Sequence, residues 1–156
     1  MRILQTLIIM FIASFFIQYY LMSAIMVDKQ SEITNSLGKV YMSVIMGVFM
    51  LIIEVMMHDH QYNTMSYKYY IGYGLLLTLF IVLYRKQIGI NDKQYLEGMI
   101  EHHSMALLTS KEIMKKSDNY YVIQLAKNII QTQEDEINKM RLILNKIKSD
   151  KNAKIH

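Results

Sequence analysis

The 156 residues contain neither cysteine nor proline. Without cysteine there is no disulfide, no thiolate metal site and no cysteine nucleophile, so any soft-metal binding rests on methionine and histidine. Without proline, nothing interrupts a helix once it has begun. A strong charge of one sign is missing too: the formal net charge is +4, and from Asp92 onward 11 basic residues stand among 9 acidic ones. No segment makes the basic stripe that nucleic acid requires. Catalytic signatures are also lacking. There is no Glu-x-x-His pair of the kind used by carboxylate-bridged di-iron bundles, and no nucleophile elbow, phosphate loop or zinc-protease motif. These absences argue against an enzyme.

What the chain has in quantity is apolar sequence, 53% of all residues. Ile3 to Val27 carries no charge over 25 residues, more than the roughly 20 a helix needs to cross a bilayer. Arg2 before this run admits a cleavable signal peptide as the rival reading. The run is longer than a signal core of roughly 7–15 residues, and no small-x-small cleavage site follows, which favours a retained anchor. Val40 to Met57 is a second apolar stretch, broken by Glu54. Tyr69 to Tyr84 is a third, of 16 residues, whose length of about 24 Å requires Lys68, Arg85 and Lys86 to reach for the membrane edges.

Three spans put Lys29, Lys39, Arg85 and Lys86 on one side, against Arg2 and Lys68 on the other, which favours a cytoplasmic C-terminal region. The expected organisation is a membrane region over residues 1–86, with spans at about 3–27, 40–57 and 69–84, and then a hinge at 87–91. A soluble hairpin follows at 92–148, and a frayed tail at 149–156. In the hinge, Asn91 is the helix-capping residue, with Gln94 three positions on. "KSDN" (116 to 119) separates the two helices of the hairpin, and Ser117 or Asp118 is the expected cap of the second. So short a connection makes the pair antiparallel.

"MIEHHSMALL" (99 to 108) sets two histidines inside an amphipathic pattern. Wound at about 100° per residue, the first helix collects Tyr95, Met99, Ala106, Ser110 and Ile113 on one face, with Glu97, Glu101, Ser104, Lys111 and Lys115 opposite. His102 and His103 straddle the apolar face, Met99 lies one turn before them, and Met105 lies three residues beyond His102. In the second helix, Gln133 and Glu136 interrupt the apolar face of Val122, Leu125, Ala126, Ile129, Ile137, Met140, Leu144 and Ile147. Ionisable groups in a core need one another or an ion.

Two main readings follow. In one, His102 or His103 is held by Glu136 and Gln133 in a hydrogen-bonded core network, or the same groups lie in a dimer interface. In the other, thioether and imidazole together bind a soft metal, for which copper, especially Cu(I), is the best match. Along the second apolar stretch Met42, Met46, Met50, Glu54 and His58 recur every four residues, and "HDH" adds His60. Glu54, His58 and His60 make a secondary candidate metal site, since a carboxylate within a span marks function by default.

"YLEGMIEHHSMALLTSKEI" followed by "LAKNIIQTQEDEINKM" resembles the domain-of-unknown-function 305 family, which pairs Met-x-x-His-His-x-x-Ala with Gln-x-x-Glu-Ile-x-x-Met. The match covers about residues 91 to 147, and "YMSVIMGVFML" with "YRKQIGIND" is similar to the membrane-anchored branch of that family. The resemblance implies an all-α, ferritin-like fold. It also implies motif residues at Met99, His102, His103, Gln133, Glu136 and Met140, and an association of some members with copper binding or tolerance outside the cytoplasm. Glu101 stands where a proline is usual, and Asn119 where Asp-Pro is common, which leaves the inherited kink and cap geometry open. An extracytoplasmic site opposes the orientation read from charge, so the side of the hairpin stays open.

The expectation is therefore an all-α protein of about three transmembrane helices and an antiparallel hairpin. Its function would be copper capture, buffering or tolerance, with Met99, Met105, His102, His103 and Met140 as ligands and Glu136 and Gln133 supporting the imidazoles. The alternative is a non-enzymatic structural module, in which two hairpins associate as a four-helix bundle around a purely hydrogen-bonded network. The bilayer and a second copy are the expected partners.

Overall fold

The computed structural model describes residues 3–153; Arg2 and the last residues of the expected tail, 154–156, lie outside the described residues. All regular structure among the described residues is helical: α1 (Ile3–Phe16), α2 (Met22–Met26), α3 (Leu37–Tyr62), α4 (Tyr67–Arg85), α5 (Asp92–Met114) and α6 (Tyr120–Ala153). A π-helical turn, Ile17–Leu21, joins α1 to α2, so Leu4–Met26 is one apolar helical stretch of 23 residues. That stretch, α3 and α4 are each long and apolar enough to cross a membrane. With 19 residues, α4 reaches about 28 Å; it includes Lys68 and Arg85, so its uncharged part is the run expected from Tyr69 to Tyr84.

The chain divides into two compact units, the first formed by residues 1–22 and 37–89. Within it α1 and α4 both pack on α3. Leu7, Leu51 and Val55 form the core, with Phe11, Tyr70 and Tyr73 against them. Gly47 admits the Phe11 ring, because a Cβ at that position would come within 2.7 Å of it. The turn between α3 and α4 is tied by Asp59, which is 6% exposed. Its carboxylate accepts from the Thr64 hydroxyl (2.9 Å), the Ser66 hydroxyl (2.7 Å) and the Ser66 amide (2.7 Å). After α4 the chain turns at Gly89, whose φ of +75° suits glycine.

The second unit comprises residues 23–36 and the described residues from 90 onward. The antiparallel helices α5 and α6 bury Leu96, Ile100, Leu107, Ile137, Met140 and Leu144 between them, flanked by Met99, Ile130 and Ile147. As expected, Asn91 caps α5 by accepting from the Gln94 amide (3.0 Å). The cap of α6 differs from expectation. Asn119, rather than Ser117 or Asp118, accepts from the amides of Tyr121 (2.9 Å) and Val122 (3.4 Å), as an asparagine placed just before the first turn does well. The helix also continues past Ile147 to Ala153, since no glycine or proline stops it.

The inward face of α5 lies roughly 80° around the helix from the expected one. Leu96, Ile100, His103 and Leu107 point into the hairpin, while Tyr95 (53% exposed) and Ile113 (44%) do not. The cause is a third participant. The connector of residues 27–36 lies along the back of α5, so that Glu101 and Ser104, expected on the solvent side, are 5% and 0% exposed. A helix covered on two sides has no single apolar stripe, and its polar residues become informative instead.

Candidate functional site

His103 sits in the seam of the hairpin, 9% exposed. Its Nδ1 lies 2.7 Å from the carbonyl oxygen of Met99, one turn back, and its Nε2 lies 2.7 Å from Oε2 of Glu136 on α6. A carbonyl accepts only, so Nδ1 carries a hydrogen and donates it. An ionised carboxylate also accepts only, so a proton lies between Nε2 and Glu136. The pair therefore holds one proton more than an imidazole with a free Nε2 lone pair. With both nitrogens engaged, none remains for Gln133, which is half-buried nearby.

The other expected residues are placed as follows. Met140, on α6, is 9% exposed in the hairpin core, and Met99 packs against that core from α5. These two thioether residues and the His103 imidazole thus occupy one seam. Met105 is half-buried on α5, and His102 is exposed, its ring centroid 6.2 Å from that of His103 at an interplanar angle of 70°. His103 is turned inward and His102 is turned out, the two being separated by about 100° around the helix.

In the first unit, Glu54 is half-buried and His60 exposed. The His58 ring packs on Tyr62, with centroids 4.7 Å apart, and its Nδ1 lies 3.6 Å from Asp59 without a hydrogen bond. Among the described residues, no three or more His, Asp or Glu side chains converge as a metal-holding group.

Sequence reasoning missed the connector's carboxylates. Glu32 is 1% exposed; its Oε2 accepts from the Ser104 hydroxyl (2.6 Å) and its Oε1 from Nη2 of Arg141 (3.1 Å). The Ser104 oxygen in turn accepts from the Asp28 amide (2.8 Å). Glu101 accepts from the Ser23 hydroxyl with Oε1 and from the Thr34 amide with Oε2 (2.9 Å). Asp28 accepts from Nζ of Lys111 (2.8 Å), and this hydrogen bond, seconded by Glu134, raises the lysine above its ordinary value against the opposing effect of burial. Lys115 beside Glu112 holds that carboxyl below its ordinary value. The available signal was a set of complements: an acid in the short connector, and Ser104 and Arg141 on the hairpin.

The described residues thus define an all-helical protein whose two-helix hairpin carries a histidine, a carboxylate and two methionines in its seam. The chain belongs to the family described as Domain of unknown function (DUF305), whose model matches residues 85–154. It is also similar to "Uncharacterized protein L153" of Acanthamoeba polyphaga mimivirus, with 34% identity over 148 residues that cover 91% of this chain and 93% of the relative. No solved structure matches it.

Proposed function

We propose that this protein is a membrane-anchored copper-binding protein, of the membrane-anchored branch of its family, which captures or buffers Cu(I) at the hairpin and performs no catalysis. The observation that carries the reading is the position of His103. Its ring lies in the seam that also holds Met99 and Met140, and its Nε2 is engaged by Glu136, whose side chain is 45% exposed. Displacing this half-exposed carboxylate, with loss of the shared proton to solvent, frees an imidazole lone pair in the seam that holds the two thioether residues. His102 and Met105 stand at the outer rim of the same stretch, where an arriving ion first meets them. The Met99 carbonyl, which accepts from Nδ1, then orients the imidazole, as a partner on the second ring nitrogen of a metal-bound histidine commonly does. The three apolar helices hold the protein in the bilayer.

The test is a Cu(I) titration of the full chain in detergent against a competing chelator. Wild type is expected to bind in the competitive range, and His102→Ala/His103→Ala to lose at least tenfold in affinity. Equal binding by the two proteins ends the proposal.

A second reading has its own observation in favour. Both His103 nitrogens already have protein partners, which is the pattern of a structural network that needs no ion. In that case the hairpin is a structural or association module, and copper changes neither its melting temperature nor its oligomeric state.

A further inference from the structure

Glu32 touches neither His103 nor Met140, yet it holds the residue next to each. Its Oε2 binds the hydroxyl of Ser104, which follows His103 on α5, and its Oε1 binds the guanidinium of Arg141, which follows Met140 on α6. One carboxylate thus bridges the two helices of the hairpin at the level of the donors. The Glu32 side chain is 2% exposed, and Ser104, fully buried, both accepts from the Asp28 amide and donates to Glu32. Arg141 gives Glu32 one charge-assisted hydrogen bond at 3.1 Å, which ties α6 to the connector.

We infer that Glu32 is a positioning residue for the hairpin site: from the connector, it sets the separation and register of His103 and Met140 by clamping Ser104 and Arg141. The inference rests on the copper reading of the hairpin and gives the connector a part in it. A carboxylate chosen only to fasten the connector could sit against either helix. This one spans both, one residue from a donor on each side. A shift of the connector would therefore be felt as a change in donor spacing.

The experiment uses the full chain in detergent micelles, with histidine side chains labelled with nitrogen-15 and the His103 signals assigned from their loss in His103→Ala. Glu32→Gln and Arg141→Met are compared with wild type for Cu(I) affinity and, without metal, for the His103 ring-nitrogen signals that report its hydrogen bond to Glu136. Each variant is expected to lose about tenfold in affinity, at the low end of the effect of removing groups that orient metal ligands. Each is also expected to shift the His103 signals while helical content stays intact. The double variant should lose no more than the weaker-binding single one, and Arg141→Lys should recover most of the loss. Unchanged His103 signals together with affinity within twofold of wild type would overturn the inference. If Glu32→Gln does not fold, Arg141→Met decides, because the arginine side chain is 41% exposed and tolerates replacement. If wild type binds no Cu(I), the copper reading fails, and the His103 signals of the metal-free variants alone decide whether Glu32 positions the imidazole.

Discussion

Nε2 of His103 and Oε2 of Glu136 are 2.7 Å apart, joining α5 to α6 through one shared proton. A metal at Nε2 displaces that proton. Cu(I) uptake by wild type is therefore expected to release a proton. In Glu136→Gln the amide can donate to a neutral ring, so the release should fall towards zero. Titration calorimetry in buffers of different ionisation heat measures both, and equal release from the two proteins would contradict the geometry.

The two histidines should differ in their effect on stability. His102 is exposed, so His102→Ala is expected to change unfolding free energy by about 0.5 kcal/mol or less. His103→Ala removes a buried ring and its hydrogen bonds, at a cost of about 1–3 kcal/mol. Chemical denaturation of the metal-free variants ranks them, and the reverse order would mean that the wrong imidazole has been placed inside.

Glu101 and Glu97 occupy neighbouring turns of α5 with different surroundings. Glu97→Ala loses only a loose pair with Lys93 at 3.5 Å, worth about 0.5 kcal/mol or less. Glu101→Ala leaves the Ser23 hydroxyl and the Thr34 amide without their acceptor and should cost about 1–3 kcal/mol. Hydrogen exchange at the Thr34 amide should accelerate in Glu101→Ala and stay slow in Glu97→Ala.

Lys111 supplies a pH dependence whose sign follows from its raised pKa. A lysine bound more tightly as the cation in the folded state stabilises fully below its ordinary value of 10.5 and loses that contribution as pH rises through the raised value. Partial exposure limits the effect to at most about 1 kcal/mol. The melting-temperature gap between wild type and Lys111→Met should stay constant from neutral pH to about pH 10 and close above it. A gap that widens in alkali would have the wrong sign.

Asp59→Ala should loosen the turn between α3 and α4. Three donors from Thr64 and Ser66 lose their acceptor, and one of them is a backbone amide. The expected cost is about 1–3 kcal/mol, with faster exchange at the Ser66 amide and cleavage by added protease near residues 63–66.

The helices themselves were readable because long uncharged runs and a capped amphipathic segment are local properties. Asn91 and the 25-residue first run are examples: each announces a helix without reference to anything else in the chain. The orientation of α5 was not readable, because it depends on a segment more than 60 residues earlier. A helical wheel assumes one buried side, and Glu101 and Ser104 break that assumption by being buried through hydrogen bonds to the connector. Glu136 was recognisable from its spacing to Met140 and from the motif around it, whereas Glu32 carries no motif and is defined only by what it touches.

The match to the family model begins at residue 85, but the folded unit around α5 begins its contribution at residue 23. A fragment cut to the matched segment would leave behind the wall on which Glu101 and Ser104 close, and Arg141 would lose its buried anion. Such a piece would expose a polar strip down one whole flank and should behave as a loosely paired hairpin. For this chain, the segment that the family model matches is shorter than the unit that folds.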